Sequence, residues 1–423
     1  MKVSTKPSDF AALVGIDWAD KKHDVCEIPS GSEKPIFTVI NASPKSIIDW
    51  ALDLRLRYPG KLVAVACELK KGPLIHALEP FDHIVLFPLN PNTVASYRKA
   101  FATSGAKDDP TDALVQAELL QTHMHKLKPL FPDHPTVRAL GQLTEHRRGL
   151  VQTRVDTTNK IIALLKNYYP HVLQWFKDKD TVIFCDFISR WPSLESAQKA
   201  RKSTLLKFFN DHNARYQHVN ETRIKDIKAA IALTKDKGVI VPNQMLVELL
   251  VQQLRLLIAA EETLDIEIKK LYRTLPDRVI FDSLPGAGPQ MAPRLLTAFG
   301  TNRDRYSNAS EIQKYSGVAP VIERSGQKSW THWRYCCPKF LRQTFVEWAG
   351  LSIRYSFWAK AYYDQQIARG KLHNAAVRSL AFKWIRIVFK CWKDHTPYDE
   401  SKYLEALKRR GSPLLENAIK ITN

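Results

Sequence analysis

The sequence is poor in acidic residues relative to basic ones, and it lacks the segments that mark membrane or exported proteins. Its 423 residues include 63 Lys and Arg but only 43 Asp and Glu, which gives a formal net charge of +20. It contains no long uncharged apolar run that would span a bilayer, and its N-terminus shows no signal-peptide pattern. We therefore expect a cytoplasmic protein with no membrane partner.

Cysteine is also scarce, with six residues and no C-x-x-C spacing. The adjacent Cys336 and Cys337 have poor geometry for a structural disulfide, so we expect reduced and mostly buried thiols. His123 and His125 flank one methionine, but no matching Cys or His pair accompanies them, and a zinc site is not expected.

The basic excess itself indicates a polyanionic partner, of which nucleic acid is the commonest. The alternative is a generally basic surface that serves solubility. Hydrophobic residues make up 44% and charged residues 25%, as in ordinary globular proteins. The chain length predicts two or three domains.

The first third predicts an α/β domain. Three short strand candidates follow one another from Ala12, and a helix capped by Ser43 comes next. The buried strand KLVAVACE then ends at Glu68, and HIVLFPLN is a further strand between helices. This order of elements is that of a ribonuclease H-like (RuvC-like) mixed sheet, which places the ends of its first and fourth strands side by side. Asp17 and Glu68 occupy those two ends.

The stretch SGAKDDPTDALVQAELL, which begins at Ser104, has two compatible interpretations. In one, Asp109 is an N-cap, Pro110 is the first helical residue and Asp112 is the acid of a capping box. In the other, Asp109 and Asp112 share a helical face and converge with the acids at the strand ends. Asp108 is expected to point into solvent.

Four converging carboxylates would repel one another unless a cation lies between them. Ligands that are all oxygen suit Mg²⁺ or Mn²⁺, and two such ions about 4 Å apart clamp the oxygens of a phosphodiester. Asp17, Glu68, Asp109 and Asp112 are therefore candidate metal ligands. Asp20 and Asp24 are interpreted as surface residues.

The rest of the chain is predicted to be mainly helical. Two long amphipathic helices, near 134–169 and 243–275, are expected to pair antiparallel as a coiled-coil spacer around a basic helical insert. We place domain limits at 1–128, 129–275 and 276–423.

LPGAGPQMAPRLLTAFG fits a helix-hairpin-helix pattern, in which Gly286 and Gly288 would let backbone N–H groups approach a phosphate. The alternative is a plain Gly-Pro turn. Further on, the segment 373–393 interleaves basic residues with aromatic ones and has no acid. Its apolar side is expected in the core, and its basic side is expected to follow phosphates through Arg378, Lys383 and Arg386.

Ser325 and Gly326 lie in a predicted loop between Arg324 and Lys328, which are candidate nucleic-acid contacts. Spacing alone predicts only a turn there.

The chain resembles the DEDD transposases of insertion sequences, the group called bridge-RNA-guided recombinases, with pilin-inversion recombinases as relatives. Six segments stand in the family's order over nearly the whole length: VGIDWADKKHDV, ACE, SGAKDDPTDA, LPGAGPQMAPRLL, YSGVAPVIERSGQK and CPKFLRQTFVEWA.

The resemblance implies a RuvC-like domain whose acidic tetrad, here Asp17, Glu68, Asp109 and Asp112, holds Mg²⁺. It also implies a C-terminal domain whose serine attacks DNA. Ser325 matches that serine. Some family members have Ser or Thr before it, where this chain has Arg324, and Ser329 is the fallback nucleophile.

The same resemblance implies donor and target DNA as partners, a guide or bridge RNA, and a homodimer or homotetramer near the prokaryotic nucleoid. The predicted activity is cutting and rejoining of DNA through a 5′-phosphoserine intermediate. Two alternatives remain: a RuvC-like nuclease or resolvase that uses water, and a non-catalytic nucleic-acid-binding protein.

Overall fold

The computed structural model describes residues 6–32, 34–68, 71–101 and 108–414. By internal contacts the chain divides into two units, residues 1–132 and 133–423. Each unit is described separately below. The division into three sequence domains stays a prediction.

The first unit contains a five-stranded mixed sheet with helices on both faces. In chain order its elements are β1 (Ala12–Trp18), β2 (Lys22–Pro29), β3 (Ile36–Asn41), α1 (Pro44–Arg57), β4 (Val63–Cys67), α2 (Pro73–Leu78), β5 (Ile84–Pro88), α3 (Pro91–Phe101) and α4 (Asp109–His123). The strands lie in the order β3-β2-β1-β4-β5. β2 is antiparallel to β1 and β3, whereas β1, β4 and β5 are parallel. The predicted succession of strands and helices is confirmed, including the cap of α1, where the Ser43 side chain accepts the Ser46 N–H.

Alternation along the strands builds two apolar layers, one on each face of the sheet. Val14 and Ile16 of β1 pack with α1 and α2, while Leu13 packs on the face covered by α4. A parallel pair of strands needs both faces covered, and this explains why β4 is an unbroken run of small apolar residues that are all buried.

The second unit is almost entirely helical. Its elements are α5 (Pro135–Tyr168), α6 (Val172–Trp175), α7 (Val182–Arg190), α8 (Leu194–Lys199), α9 (Lys202–Asp211), α10 (Gln217–Ala229), α11 (Lys237–Thr274), α12 (Arg278–Asp282), α13 (Gly288–Phe299), α14 (Ala309–Tyr315), β6 (Val321–Ser325), β7 (Lys328–His332), α15 (Lys339–Ser352), α16 (Phe357–Ala368), α17 (His373–Lys393) and α18 (Glu400–Arg409). No helix in the described part of the chain is long and apolar enough to cross a membrane.

The two long helices α5 and α11 pair antiparallel, as the sequence predicts. Arg147 binds Asp265 through two hydrogen bonds of 2.5 and 2.9 Å. Towards the other end of α5, Asn167 donates to Asn243 at 3.3 Å. Later residues of α5 therefore contact earlier residues of α11, so the two helices run in opposite directions.

Two separate cores form on this helix pair. One includes aromatic side chains of α6, α7 and α9. The other surrounds Trp384, whose ring lies 4.8 Å from that of Trp348 and 4.5 Å from that of Trp358. Trp384 and Trp392 are fully buried, so the apolar side of α17 lies in the core as predicted.

Candidate active site

Acidic side chains lie together where the central strands β1 and β4 end. We call this end of the sheet the acidic edge; its residues are Asp17, Asp24, Glu68, Asp109 and Asp112. Ile16 of β1 pairs with Cys67 of β4, so the next residues, Asp17 and Glu68, lie beside each other where the parallel strands end. Asp24 of β2 pairs with Asp17 from the other side. Alternation directs all three away from the α1 face.

Gly15 allows α4 to approach this edge. A Cβ on Gly15 would lie 2.0 Å from the Ala113 carbonyl oxygen and 2.6 Å from the Ala117 nitrogen. The first turns of α4 therefore rest directly on the backbone of β1, which places Asp112 next to the ends of the strands. Gly15 is not among the residues predicted from the sequence, although a glycine inside an apolar strand signals a close backbone approach.

The electrostatics of Asp17 show that these carboxylates interact. Partial burial and then the charges of Asp112, Asp109, Glu68 and Asp24 raise the pKa of Asp17 from 3.8 to about 6. Four other acids thus act electrostatically on one side chain, while their convergence into a metal site stays a prediction. Asp24 is a fifth member of the group.

Asp24 corrects one sequence expectation. It is 5% exposed rather than a surface residue, and Lys22 lies 3.1 Å from its carboxylate. The antiparallel register of β1 and β2 turns it inward beside Asp17. Asp20, in the turn after β1, is exposed as expected.

The cap of α4 is a second correction. Asp108, not Asp109, is the N-cap, and its carboxylate accepts the Thr111 N–H at 2.9 Å. These hydrogen bonds lower the pKa of Asp108. Asp109 is the first helical residue and Pro110 the second, so the carboxylate of Asp109 is released from capping. The segment 102–107, which includes the start of the quoted motif, lies outside the described residues.

Cationic side chains contact the candidate ligands Asp109 and Asp112. Arg98 of α3 forms an ion pair with Asp112, which is 8% exposed. The ammonium of Lys22 lies 3.9 Å from Asp109. These contacts partly neutralise the acidic edge.

The donor chemistry of this edge suits a hard divalent cation, since its side chains offer only carboxylate oxygens. In the described part of the chain, however, no three His, Cys, Asp or Glu side chains stand close enough together to hold an ion. Binding would therefore require side-chain movement, beginning with the release of Asp112 from Arg98.

Ser325 lies on a hairpin rather than in an irregular loop. It is the last residue of β6 and pairs with Lys328, the first residue of β7. Gly326 and Gln327 form the turn, and Gly326 has φ +56°, a conformation that favours glycine. Ser325, Arg324 and Lys328 are all exposed, so Ser325 is accessible.

The hairpin separates the two candidate serines. Ser325 and Lys328 form one cross-strand pair, and Ser329 pairs with Arg324 in the next. Neighbouring pairs point to opposite faces of a hairpin. Ser325 and Ser329 therefore cannot serve the same face.

The base of the hairpin is tied to the helical core. Gly317 has φ +74°, and a Cβ there would lie 2.3 Å from the Cys337 sulfur. On the other side, Arg334 donates from Nε to the Ala319 carbonyl at 3.3 Å. These contacts join the segments before β6 and after β7, and they explain the structural use of the glycine in YSGVAP.

The glycines before α13 differ in their surroundings. Gly286 has φ +72°, and a Cβ there would meet the Leu351 carbonyl carbon at 3.1 Å and the Tyr355 ring at 3.0 Å. Its close approach is therefore to protein. Gly288, with φ +53°, faces open space. Phosphate binding by either glycine stays a prediction.

The basic side of α17 is only partly free. Arg386 is exposed, whereas the Lys383 ammonium lies 4.3 Å from the centre of the Tyr362 ring. Burial and the neighbouring charge of Arg386 lower the pKa of Lys383. A nucleic-acid role for these residues stays a prediction.

Two models of transposase families match different parts of this chain. Residues 14–170 match the DEDD-type IS110 family model described as transposase. Residues 279–364 match the model of the IS116/IS110/IS902 transposase family. The two matches cover, respectively, the acidic edge of the first unit and the serine hairpin of the second.

Three relatives extend the likeness over most of the chain. The candidate transposase of the IS117 mini-circle of Streptomyces coelicolor is 28% identical over 97% of this chain and 99% of its own length. An uncharacterized 42 kDa protein of insertion element IS900 from Mycobacterium paratuberculosis is 25% identical over 83% of this chain and 84% of its own length. An uncharacterized 43.6 kDa protein of insertion element IS110 from Streptomyces coelicolor is 26% identical over 70% of this chain and 72% of its own length. With both family models matched in order, the chain belongs to the IS110 family of insertion-sequence transposases.

Proposed function

We propose that this transposase cuts and rejoins DNA through a covalent 5′-phosphoserine link on Ser325, at a Mg²⁺-dependent acidic site in a RuvC-like domain. The observation that carries the proposal is the strand register, which pairs Asp17 with Asp24 and brings Asp17 and Glu68 to neighbouring strand ends. The raised pKa of Asp17, caused by burial and then by the charges of nearby acids, supports it. The strand order, with three antiparallel strands followed by two parallel ones, supports the ribonuclease H-like assignment.

Asp17, Glu68, Asp109 and Asp112 are the residues that would hold the ions. Bound Mg²⁺ or Mn²⁺ would supply stabilisation of the charge that develops on the phosphoryl and leaving oxygens. The chain positions the backbones of these acids: β1 and β4 end near Asp17 and Glu68, and Asp109 and Asp112 lie in the first turn of α4. Their side chains would move to bind an ion, with Asp112 leaving Arg98. Asp24, buried beside Asp17, adds negative charge to the same edge.

The serine step conserves the energy of the phosphodiester bond. The Ser325 hydroxyl gives up its proton and its oxygen bonds to phosphorus, while the bond from phosphorus to the 3′-oxygen breaks. The leaving oxygen takes a proton and becomes a 3′-hydroxyl. Attack by the 3′-hydroxyl of another strand then reverses the step, restores the phosphodiester and releases the serine.

Lys328 is well placed to assist this step. Cross-strand neighbours in a hairpin have Cβ atoms about 5 Å apart, and Lys328 is the partner of Ser325. Its ammonium would donate to a phosphate oxygen beside the serine, where Arg324 adds positive charge on the opposite face.

A guide or bridge RNA, donor DNA and target DNA are the proposed partners, and a homodimer or homotetramer is the proposed assembly. The formal charge of +20 supports polyanionic partners. Sequencing the RNA that co-purifies with the protein tests the RNA partner directly, and degraded host RNA without a common sequence would count against it.

The covalent step is tested by trapping it. Wild-type protein, Mg²⁺, its co-purified RNA and end-labelled element DNA are expected to yield labelled protein on a denaturing gel. Ser325→Ala should abolish the labelled band while DNA binding persists, and Ser329→Ala is the matched control that should retain it.

The alternative is a RuvC-like nuclease or resolvase that uses water as the nucleophile. It is favoured by the separation of Ser325 from the acids in sequence, since the acidic edge belongs to a unit with its own core. Cleavage that survives Ser325→Ala, without labelled protein in the wild type, would support this alternative and contradict the serine proposal.

A further inference from the structure

Two arginines of the second unit lie against one tryptophan at the base of the serine hairpin. Trp333 directly follows β7 and is 39% exposed. The guanidinium carbon of Arg378 lies 3.8 Å from the centre of its ring, and that of Arg342 lies 5.0 Å away. Both distances are within the range of a cation–π contact.

Several other arginines of this unit pair with acids. Arg294 pairs with Glu347, and Arg303 pairs with Asp277, each at 2.7 Å. Within the described ranges, neither Arg342 nor Arg378 forms an ion pair. Two positive charges thus share one aromatic ring.

Burial first, and then the charge of Arg342, lower the pKa of Arg378. Like charges that are half-buried together destabilise each other. A bound anion would relieve this repulsion, and guanidinium groups suit phosphate because their N–H donors form a planar fork.

The arrangement is anchored to the hairpin. Arg342 donates from Nη1 to the Arg334 carbonyl at 3.1 Å, and Arg334 in turn donates to the Ala319 carbonyl. Trp333 and Arg342 are therefore fixed to the two segments that carry β6 and β7.

We propose that Trp333, Arg342 and Arg378 form a phosphate clamp for the DNA strand that Ser325 engages. This rests on the proposed function of the hairpin, and it adds a binding site that positions the strand. Trp333 lies five residues beyond the partner of Ser325 and just outside β7, so the backbone between them spans at most about 17 Å. At 3.4 Å per step of B-DNA, the clamped phosphate lies within about five steps of the attacked one.

The first test is the salt dependence of binding, measured by fluorescence anisotropy with labelled duplex DNA. Each of Arg342→Gln and Arg378→Gln is expected to weaken binding and to reduce the slope of log K against log salt by about 1. Arg278→Gln is the matched control, because Asp282 already lies 3.4 Å from its guanidinium. Thermal unfolding by circular dichroism identifies any loss of fold, and Arg378→Lys should then recover part of the affinity.

The second test locates the phosphate. A neutral methylphosphonate linkage, moved one step at a time from the serine-linked position, should weaken wild-type binding most at one position within about five steps. The same linkage should not weaken DNA binding by the double variant Arg342→Gln/Arg378→Gln any further, because this variant no longer contacts that phosphate.

Unchanged salt slopes in both single variants, or no coupling at any linkage, would overturn the clamp. A larger loss for single-stranded RNA of the same sequence than for DNA would overturn its assignment to the DNA strand. These results are distinct from failure of the proposed function, because the covalent band on Ser325 is measured separately.

Discussion

At the scale of single residues, the charge of Asp17 opposes folding in the absence of metal. The pKa of this carboxyl is 3.8 in the unfolded chain and about 6 in the folded one. Since the folded state holds the proton more tightly, stability is lost as pH rises between about 4 and about 6. Above about pH 6, the charge of Asp17 destabilises the folded state to its full extent.

Asp17→Asn is therefore expected to stabilise the metal-free protein at about pH 7. We expect a gain of about 1 kcal/mol after discounting for solvent screening at this partly exposed site. The gain should shrink as pH falls towards about 4. Thermal unfolding in EDTA over a series of pH values measures it.

Asp20→Asn, at the exposed acid of the following turn, is the matched control and should change little. Added Mg²⁺ should stabilise the wild type but not Asp17→Asn, because the variant lacks a proposed ligand. A variant that is less stable than the wild type at every pH would contradict the electrostatic interpretation.

The sequence predicts strand-end residues better than it predicts residues whose orientation depends on pairing. Asp17 and Glu68 follow apolar runs, so their place at the sheet edge is visible in the pattern. Asp24 lies inside a short strand, and only the register with β1 turns it inward. The predicted N-cap of α4, Asp109, differs by one residue from the observed N-cap, Asp108. Both residues are good caps, and the choice between them depends on the tertiary position of the helix.

At the scale of elements, the approach of α4 to β1 determines whether the acidic edge exists. Gly15→Ala would place a Cβ 2.0 Å from the Ala113 carbonyl oxygen, so the helix must move. We expect a loss of about 1–3 kcal/mol, as for other overpacked cores. The Mg²⁺-dependent gain in melting temperature should also fall, because Asp112 moves with the helix.

Gly149→Ala is the matched control for this change. Gly149 lies within α5, and nothing lies within 4 Å of the position of an added Cβ. Alanine there should be neutral or stabilise by about 0.5–1 kcal/mol. Urea unfolding with and without Mg²⁺ measures both variants, and an unchanged Gly15→Ala would show that α4 does not rest on β1 as described.

The serine hairpin shows where element prediction from this sequence stops. Its strands are short and exposed, and their residues are mostly polar or charged, so neither period-2 alternation nor an apolar face marks them. The sequence predicts the long helices α5 and α11 because their apolar positions repeat over many turns. The pairing of Trp333 with Arg342 and Arg378 joins three elements, and spacing along the chain gives no sign of it.

At the scale of the whole molecule, the proposed acids and the proposed nucleophile belong to different units. Asp17 lies in residues 1–132, and Ser325 lies in residues 133–423. Each unit has its own core, so a substitution in one site is expected to leave the other intact. This makes complementation between inactive variants a direct test of how the two halves combine.

Mixing Asp17→Asn protein with Ser325→Ala protein should restore labelled phosphoserine if an active site takes its acids from one subunit and its serine from another. In a mixed dimer, one site then combines intact acids with an intact serine, and the second site lacks both. If both halves come from the same subunit, every site in the mixture lacks one essential group and no labelled protein forms. The double variant Asp17→Asn/Ser325→Ala, mixed with wild type, controls for simple exchange of subunits. Restored labelling on the Asp17→Asn chain, identified by a size tag, would establish the shared site, and its absence in a mixture shown to contain mixed oligomers would contradict it.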